Sequence, residues 1–451
     1  MSQILFDLPF PDNSSDIANQ NVDSEKIKKS LHRASRSQIE FRISSLDEII
    51  PEDHLARDVW DFTSKLDFSD FLDEIKIPDG CGGPRTKDPR VLMTLWLFAA
   101  LEGIYSARHI DRLCKEHHAY IWICGGVPMN YHSLSDFRTR GADKFRLLLQ
   151  QSIAVIWKLG IWSPETIAQD GTRVKANAGL GLFKRSPTLD KYLEDANQLI
   201  AKLEKELAEN PNAFSAREKA AKQRAANERK ERVEKAQVEL EKYRSARTAS
   251  AKVHRHSFSQ KDRENLRVST VDPECRKMKM GDGGFRAAFN VQFATSTDKK
   301  VIVGVDVVNT LDPATLAPMM QQVSQTFEKI GCPPPKDWLG DSAYANKKDA
   351  AEAEEAFPNI TLHSPPVSND SCDALSPRDT DNEAMAKLRK RMATEEAVTK
   401  YKERGSTAEF ANASTKNHGM KQFLVRGLEK ATQAALLFAI THNMMVYFRN
   451  V

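Results

Sequence analysis

Hydrophobic residues recur at helical spacing through the first third of the chain. The stretch 91–101 places apolar side chains every three or four residues and is followed by Gly103, which predicts a helix that ends there. Ser106 is typical of the residue that begins a helix, and 145–159 is a longer apolar stretch of the same period. We therefore predict an all-α region from about residue 46 to 160.

A pattern with the period of β-strands follows. Residues 285–293 alternate between apolar and other side chains, which predicts a half-buried strand, and 301–308 is a β-branched run typical of a strand buried on both faces. The alternation of strands and helices predicts a mixed α/β sheet. The remaining predicted elements are strands at 166–170, up to Asp341 and around 360–362, and helices at 313–330 and 347–356.

Residues 185–250 interrupt this sheet with two helical runs. Apolar residues repeat at seven-residue spacing in both runs, and Pro211 separates them. The pattern predicts an antiparallel, coiled-coil-like helical hairpin. The repeated positions are Leu193, Ile200 and Leu207 in the first run and Ala226, Val233 and Leu240 in the second.

These patterns predict the domain organisation. Residues 1–45 are polar and irregular, which predicts a disordered tail. Residues 46–160 form a helical N-terminal domain, and residues 161–451 form an α/β domain that the hairpin interrupts. Residues 364–395 are predicted to be a loop or a weakly structured connector.

Composition adds limits on the compartment and the partners. The net charge of +4 and the pI near 8.5 permit nucleic-acid binding. The six cysteines lack the spacing of a disulfide framework, which favours a reducing cytosol. The longest apolar stretch, 431–448, contains Gln433 and His442 and therefore predicts a buried helix instead of a membrane span.

Two aspartates stand directly after short apolar runs. Asp170 and Asp341 each end a predicted strand, and ligands of open α/β sheets collect at the carboxyl ends of strands. Two carboxylates there can share a divalent metal ion. An aspartate in this position is also a common helix cap or turn former, and the pattern does not exclude Asp282 and Asp306 as rival carboxylates.

A third carboxylate, Glu409, lies in a basic segment. Lys416 follows seven residues later, so both side chains project from one helix face about 10 Å apart. Arg404 is offset around the same helix. A carboxylate beside a lysine suits a helix that lies along a nucleic-acid strand, with the lysine on a phosphate. A solvated basic face is the alternative interpretation.

Five blocks, in this order, resemble those of bacterial insertion-sequence transposases of the DDE type. The resemblance runs from about residue 50 to the end, and it is to the group with a helical N-terminal transposase domain and a ribonuclease-H-like catalytic domain. The blocks are 130–138, 170–177, 280–286 with 290–292, 340–344, and 407–412 through 416–419 to 425–428.

The resemblance implies roles for the three carboxylates. Asp170, Asp341 and Glu409 would be the catalytic triad and would hold two Mg²⁺ ions, for which Mn²⁺ can substitute. Asp282 and Asp306 fall outside this triad and are left with structural roles. The implied fold is a ribonuclease-H-like mixed sheet with an all-α N-terminal domain and an inserted helical hairpin.

The resemblance also implies DNA contacts. Tyr401, Arg404 and Lys416 occupy the signature around Glu409 and would hold the transposon-end DNA, although the gap from Arg404 to Glu409 is one residue longer than in the commonest form. The helical N-terminal domain, residues 46–160, would also bind DNA, and Arg138, at the end of the first block, is the contact expected from it. We expect the hairpin to support dimerisation or to contact the DNA ends.

The predicted function is a DNA transposase that cleaves and transfers strands with the help of divalent metal. Its partners would be double-stranded DNA, as terminal inverted repeats and as target, and a second copy of the chain in a homodimer. Its location would be the nucleoid of a bacterial cytoplasm, without membrane association. The alternatives are a catalytically inactive, transposase-derived DNA-binding protein and an assembly scaffold built on the hairpin. Inverted repeats flanking the gene would favour the active enzyme.

Overall fold

A computed structural model describes most of the chain. The described residues are 44–74, 86–209, 215–253, 257–310, 312–367 and 374–451. Nearly all of the tail predicted for residues 1–45 lies outside them. Residues 46–451 form one compact unit. No described helix combines the length and the apolar character needed to cross a membrane.

The region before the sheet is helical, as predicted. Helix α3 covers the predicted 91–101 stretch and begins with Pro89, where the Asp88 side chain accepts a hydrogen bond from the Arg90 backbone. A short 3₁₀ helix precedes these elements. The helices are α1 Leu55–Ser64, α2 Ser69–Leu72, α3 Pro89–Leu101, α4 Ala107–Glu116, α5 His118–Cys124, α6 Tyr131–Phe137 and α7 Ala142–Lys158.

Strands from distant parts of the sequence form one mixed sheet. β1 pairs antiparallel with β5 on one side and parallel with β7 on the other, and β7 pairs parallel with β8. β4 and β6 pair with successive stretches of the opposite edge of β5. The strands are β1 Thr166–Lys175, β4 Arg276–Lys279, β5 Phe285–Ser296, β6 Ile302–Val308, β7 Asp337–Leu339 and β8 Thr361–His363, together with a separate ribbon of β2 Phe183–Lys184 and β3 Val268–Ser269.

Helices cover both faces of the central strands. Strand β5 was predicted to be half-buried, but every residue from Ala287 to Ser296 is buried. The prediction was wrong because helices pack on both sides of β5. The residues that the alternation assigned to a solvent-exposed face are therefore buried as well. The helices between the later strands are α11 Leu316–Ile330 and α12 Lys347–Ala356, and those at the end of the chain are α13 Glu383–Met392, α14 Glu395–Asn417 and α15 Leu428–Phe448.

The C-terminal helices connect the sheet with the N-terminal helical region. α15 packs against α7, α3 and β6, and the helices and the sheet share one hydrophobic cluster. Helix α13 falls inside 364–395, which was predicted to be a connector, so that part of the prediction was wrong. Its buried residues Met385, Leu388 and Met392 follow helical spacing, but the charges between them mask the pattern.

The predicted hairpin is present as two long helices between β2 and β3. They are α8 (Ser186–Glu209) and α9 (Ala216–Val253). Gln237 donates a hydrogen bond to Asp190 at 2.7 Å, which joins the start of α8 to the second half of α9 and shows that the helices run antiparallel. Their seam buries Leu189, Ala196, Val233, Ala236 and Leu240. A short helix, α10 (Gln260–Asn265), leads back to β3.

Candidate active site

Asp170 and Asp341 lie at equivalent positions on neighbouring parallel strands. Ala168 of β1 pairs with Leu339 of β7, and each aspartate is two residues further along its strand direction. Side chains two residues apart point to the same face, so both carboxylates point to the face that α14 covers. The strand pairing therefore brings together two residues that are 171 positions apart in the sequence.

Arg404 of α14 lies between these two carboxylates. Its Nη2 atom is 2.8 Å from Asp170 Oδ1 and 4.0 Å from Asp341 Oδ2. The three side chains are between 18% and 32% exposed, so their charges are only partly screened by water. A cation thus compensates a pair of like charges at this point of the sheet.

Asn412 is a second contact from α14, two turns after Arg404. Its Nδ2 atom donates to Asp170 Oδ2 at 2.8 Å. The Asn412 Oδ1 atom is buried and, among the described residues, has no hydrogen-bond partner. An uncompensated acceptor oxygen beside a carboxylate is costly unless a donor or a cation meets it. Asn412 ends the block 407–412 that carries the resemblance, but it was not identified as a site residue from the sequence.

The surroundings of the two aspartates disfavour their charged forms. Burial raises the pKa of Asp170 above its usual range, Arg404 opposes this increase, and the neighbouring carboxylates of Asp341 and Asp312 add to it. Burial also raises the pKa of Asp341, while a hydrogen bond from the Ala343 backbone opposes the increase. Both carboxylates therefore gain from any additional positive charge at the site.

Asp312 is an acidic neighbour that sequence reasoning missed. Its Oδ1 atom accepts hydrogen bonds from Asn290 Nδ2 at 3.0 Å and from Gln292 Nε2 at 2.7 Å. A Cβ atom at Gly171 would stand 2.1 Å from Asp312 Oδ1 and 2.3 Å from Gln292 Nε2. Only glycine therefore leaves room for this approach immediately after Asp170.

A buried hydrogen-bond network joins this region to the segment after β7. Gln292 Oε1 accepts from the Tyr344 hydroxyl at 2.6 Å, and Gln292 also meets Gln169 at 3.2 Å. The Trp338 ring donates to Gln169 at 3.2 Å. Tyr344 follows Asp341 by three residues, so the network fixes the turn that carries this aspartate.

A second set of contacts to α14 involves Lys300 and His442. Lys300 Nζ donates to Thr407 Oγ1 at 2.9 Å. His442 Nε2 donates to the Lys300 carbonyl at 2.8 Å, and Nδ1 accepts from the Ser414 hydroxyl at 2.9 Å. Burial lowers the pKa of His442 to about 4, so the ring is neutral near pH 7. These contacts fix the helix rotation that turns Arg404 towards the sheet.

The remaining predicted residues of α14 have different environments. Glu409 is exposed, and Lys416 and Tyr401 are partly buried. Burial lowers the pKa of Lys416, and the nearby charge of Asp170 opposes that decrease. In the part of the chain that the structure describes, no three acidic, histidine or cysteine side chains are grouped closely enough to hold a metal ion.

Arg138 lies in the interior, only 8% exposed. Its guanidinium stacks on the Trp96 ring at 4.5 Å and donates to the Tyr105 carbonyl at 2.8 Å. Arg138 was predicted to contact DNA, but these contacts use its guanidinium to support the fold. It is therefore not part of the DNA surface that we propose below.

Two family models match the chain. Residues 373–448, which contain α14 and α15, match a transposase DDE domain, and residues 44–140 match a transposase domain (DUF772). Both matches support an insertion-sequence DDE transposase. The resemblance noted in the sequence is thereby confirmed, and it associates the chain with DNA transposition and recombination. Asp170 and Asp341 lie outside both matched ranges. No curated protein and no solved structure matches the chain.

Proposed function

We propose that the chain is an active DNA transposase whose catalytic residues are Asp170, Asp341 and Glu409. One observation carries this proposal: two carboxylates lie side by side, each two residues after the paired Ala168 of β1 and Leu339 of β7, and a helix from the matched DDE domain contacts them. The proposed activity is cleavage of element-end DNA followed by strand transfer into target DNA.

The sheet topology supports a ribonuclease-H-like catalytic domain. From edge to edge the strands run β6, β5, β1, β7 and β8. β6 pairs antiparallel with β5, and β5 pairs antiparallel with β1, while β7 and β8 run parallel to β1; β4 pairs with β5 on the same edge as β6. We propose that this domain starts near residue 161, after the helical N-terminal domain, and that α8 and α9 are an insertion in it.

The donor chemistry of the site fits a hard divalent cation such as Mg²⁺ or Mn²⁺. Two carboxylates and the unpaired Asn412 oxygen offer the oxygen ligands that these ions prefer. Asp170 and Asp341 would be the principal ligands, and Glu409, one turn before Asn412, would complete the set. When bound, divalent ions stabilise the charge that develops on the attacking and leaving oxygens of a phosphodiester.

The other residues of α14 would position the DNA. Arg404 neutralises Asp170 and Asp341, and it becomes available to a phosphate group once another cation neutralises these carboxylates. Lys416 and Tyr401 lie on the same helix, and the charge of Asp170 acts to raise the pKa of both side chains, so both are close to the site. Double-stranded element-end DNA is therefore the proposed partner of this helix.

Glu409→Gln is expected to lower strand cleavage by about 10²- to 10³-fold while DNA affinity stays within about twofold. The substitution removes one anionic ligand, and such a loss costs roughly 3–4 kcal/mol of transition-state stabilisation. Single-turnover cleavage of duplex DNA from the flanks of the gene, in Mg²⁺ and in Mn²⁺, measures the effect.

Glu403→Gln is the matched control. Glu403 lies on the same helix, but it is paired with Lys400 at 3.8 Å on the side away from Asp170. It should leave cleavage within about twofold, since an exposed ion pair contributes at most about 1 kcal/mol. Equal activity of the two variants would exclude Glu409 from the catalytic set.

A further inference from the structure

A groove of about 520 Å³ lies between the base of the helical hairpin and the free edge of β4. Aromatic and cationic side chains line it together, and none of its described lining residues is acidic. Such a lining suits a polyanion, because its cations can meet phosphate groups without a nearby carboxylate in the lining. The lining includes the apolar and aromatic residues Phe183, Tyr243 and Leu266 and the cationic residues Arg267, Arg276 and Lys277.

The three cationic side chains of this groove differ in whether an acidic residue of the protein already neutralises them. Arg276 stacks on Tyr243 at 4.7 Å and pairs with Glu239 at 3.3 Å, so its charge is compensated within the protein. Arg267 and Lys277 are exposed, and within the described ranges neither has an acidic partner. Lys277 lies over the Phe285 ring at 4.9 Å, which keeps its stem extended along the surface.

Lys277 lies on the same face of the sheet as the candidate active site. Asp170 pairs with Phe293 of β5, and Lys277 pairs with Ala287. Phe293 and Ala287 are six residues apart, an even number, so Asp170 and Lys277 point to the same face. The separation along β5 is about 20 Å, which corresponds to roughly six base pairs of duplex DNA.

We propose that this groove binds the sugar-phosphate backbone of duplex DNA, through Arg267 and Lys277, about six base pairs from the bond that is cut. The proposal rests on the proposed function, because the distance is counted from Asp170. It also explains what the hairpin contributes. The groove exists only where the hairpin base approaches β4, so the insertion supplies one wall of a DNA site.

The proposal is tested by the salt dependence of DNA binding by the full-length chain carrying Arg267→Gln and Lys277→Gln. The probe is a fluorescein-labelled duplex from DNA flanking the coding sequence, and fluorescence anisotropy gives the affinity between about 50 and 200 mM salt. Each phosphate contact contributes about 0.9 to the slope of log K against log salt, so the double variant should lose about 1.8 of it.

Lys158→Gln with Lys329→Gln is the charge-matched control. Both lysines are exposed, and they end the helices that lead into β1 and β7, at the opposite end of these strands from Asp170. The control pair should keep the wild-type slope. An unchanged slope in the groove variant would overturn the proposal. If sedimentation then shows a changed oligomeric state for this variant, the groove serves assembly of the protein instead of DNA binding.

The outcome separates this inference from the proposed function. If the wild-type protein binds and cleaves the duplex while the groove variant has an unchanged slope, only the groove assignment fails. If Asp170→Asn still cleaves while the groove variant loses slope, the catalytic assignment fails together with the distance counted from Asp170, and DNA binding by the groove stands.

Discussion

Asp170→Asn is expected to abolish strand cleavage, by about 10³-fold or more, and to leave DNA binding intact. Asparagine keeps the shape of the side chain but removes the charge that would bind a metal ion, and several kcal/mol of transition-state stabilisation disappear with it. Binding should persist because the groove and the basic residues of α14 are unchanged. Single-turnover cleavage and fluorescence anisotropy on the same protein preparation measure the two properties separately.

Asp306→Asn provides the control for this experiment. Asp306 lies on β6 and pairs with Arg146 at 3.4 Å, so the substitution also removes the carboxylate of an aspartate–arginine pair in the same sheet. It should leave cleavage unchanged, because Asp306 points to the opposite face of the sheet: it pairs with Gln292 of β5, whereas Asp170 pairs with the next residue, Phe293. Retained cleavage in Asp170→Asn would remove Asp170 from the mechanism, whatever the control shows.

Gly171→Ala is expected to lower the free energy of unfolding by about 1–3 kcal/mol and to reduce cleavage by up to about 10²-fold. The added methyl group would stand 2.1 Å from Asp312 Oδ1 and 2.3 Å from Gln292 Nε2, so Asp312 must move or β1 must shift. A displacement of about 1 Å next to a catalytic carboxylate is sufficient for such a loss of rate. Chemical denaturation and single-turnover cleavage measure the two effects.

Gly179→Ala controls for the general cost of removing a glycine. Gly179 has an extended backbone, and a Cβ there meets nothing within 4 Å. The control should change stability by less than about 1 kcal/mol in either direction. If Gly171→Ala were equally harmless, Asp312 would not be held against β1 as described.

The periodicity of the sequence predicted most of the fold, and long-range pairing explains the differences. Strand β1 was expected to end at Asp170, because Gly171 and Thr172 resemble a turn, yet it continues to Lys175. Antiparallel pairing with β5 extends to Lys175 opposite Ala288 and outweighs the local signal. Such pairing depends on a partner far away in the sequence, which a local pattern does not contain.

The candidate site was only partly predictable, because local patterns mark some of its residues and long-range contacts bring in the others. Asp170 and Asp341 could be found because each ends an apolar run, and their alignment follows from the pairing of β1 with β7. Asp312 was missed because no local pattern marks it. Asn412 lies in a matched block but was not assigned a role, because only the folded arrangement brings it to Asp170. Arg138 was predicted to contact DNA because sequence periodicity does not reveal that an arginine is buried by stacking on an aromatic ring.

The most direct test of the catalytic assignment is the position of bound metal. A crystal of the wild-type protein with duplex DNA, soaked in Mn²⁺, can be measured at the manganese absorption edge. The account predicts an anomalous peak at coordinating distance, about 2.0–2.3 Å, from carboxylate oxygens of both Asp170 and Asp341. An anomalous map whose manganese peaks all lie away from these two aspartates would contradict it.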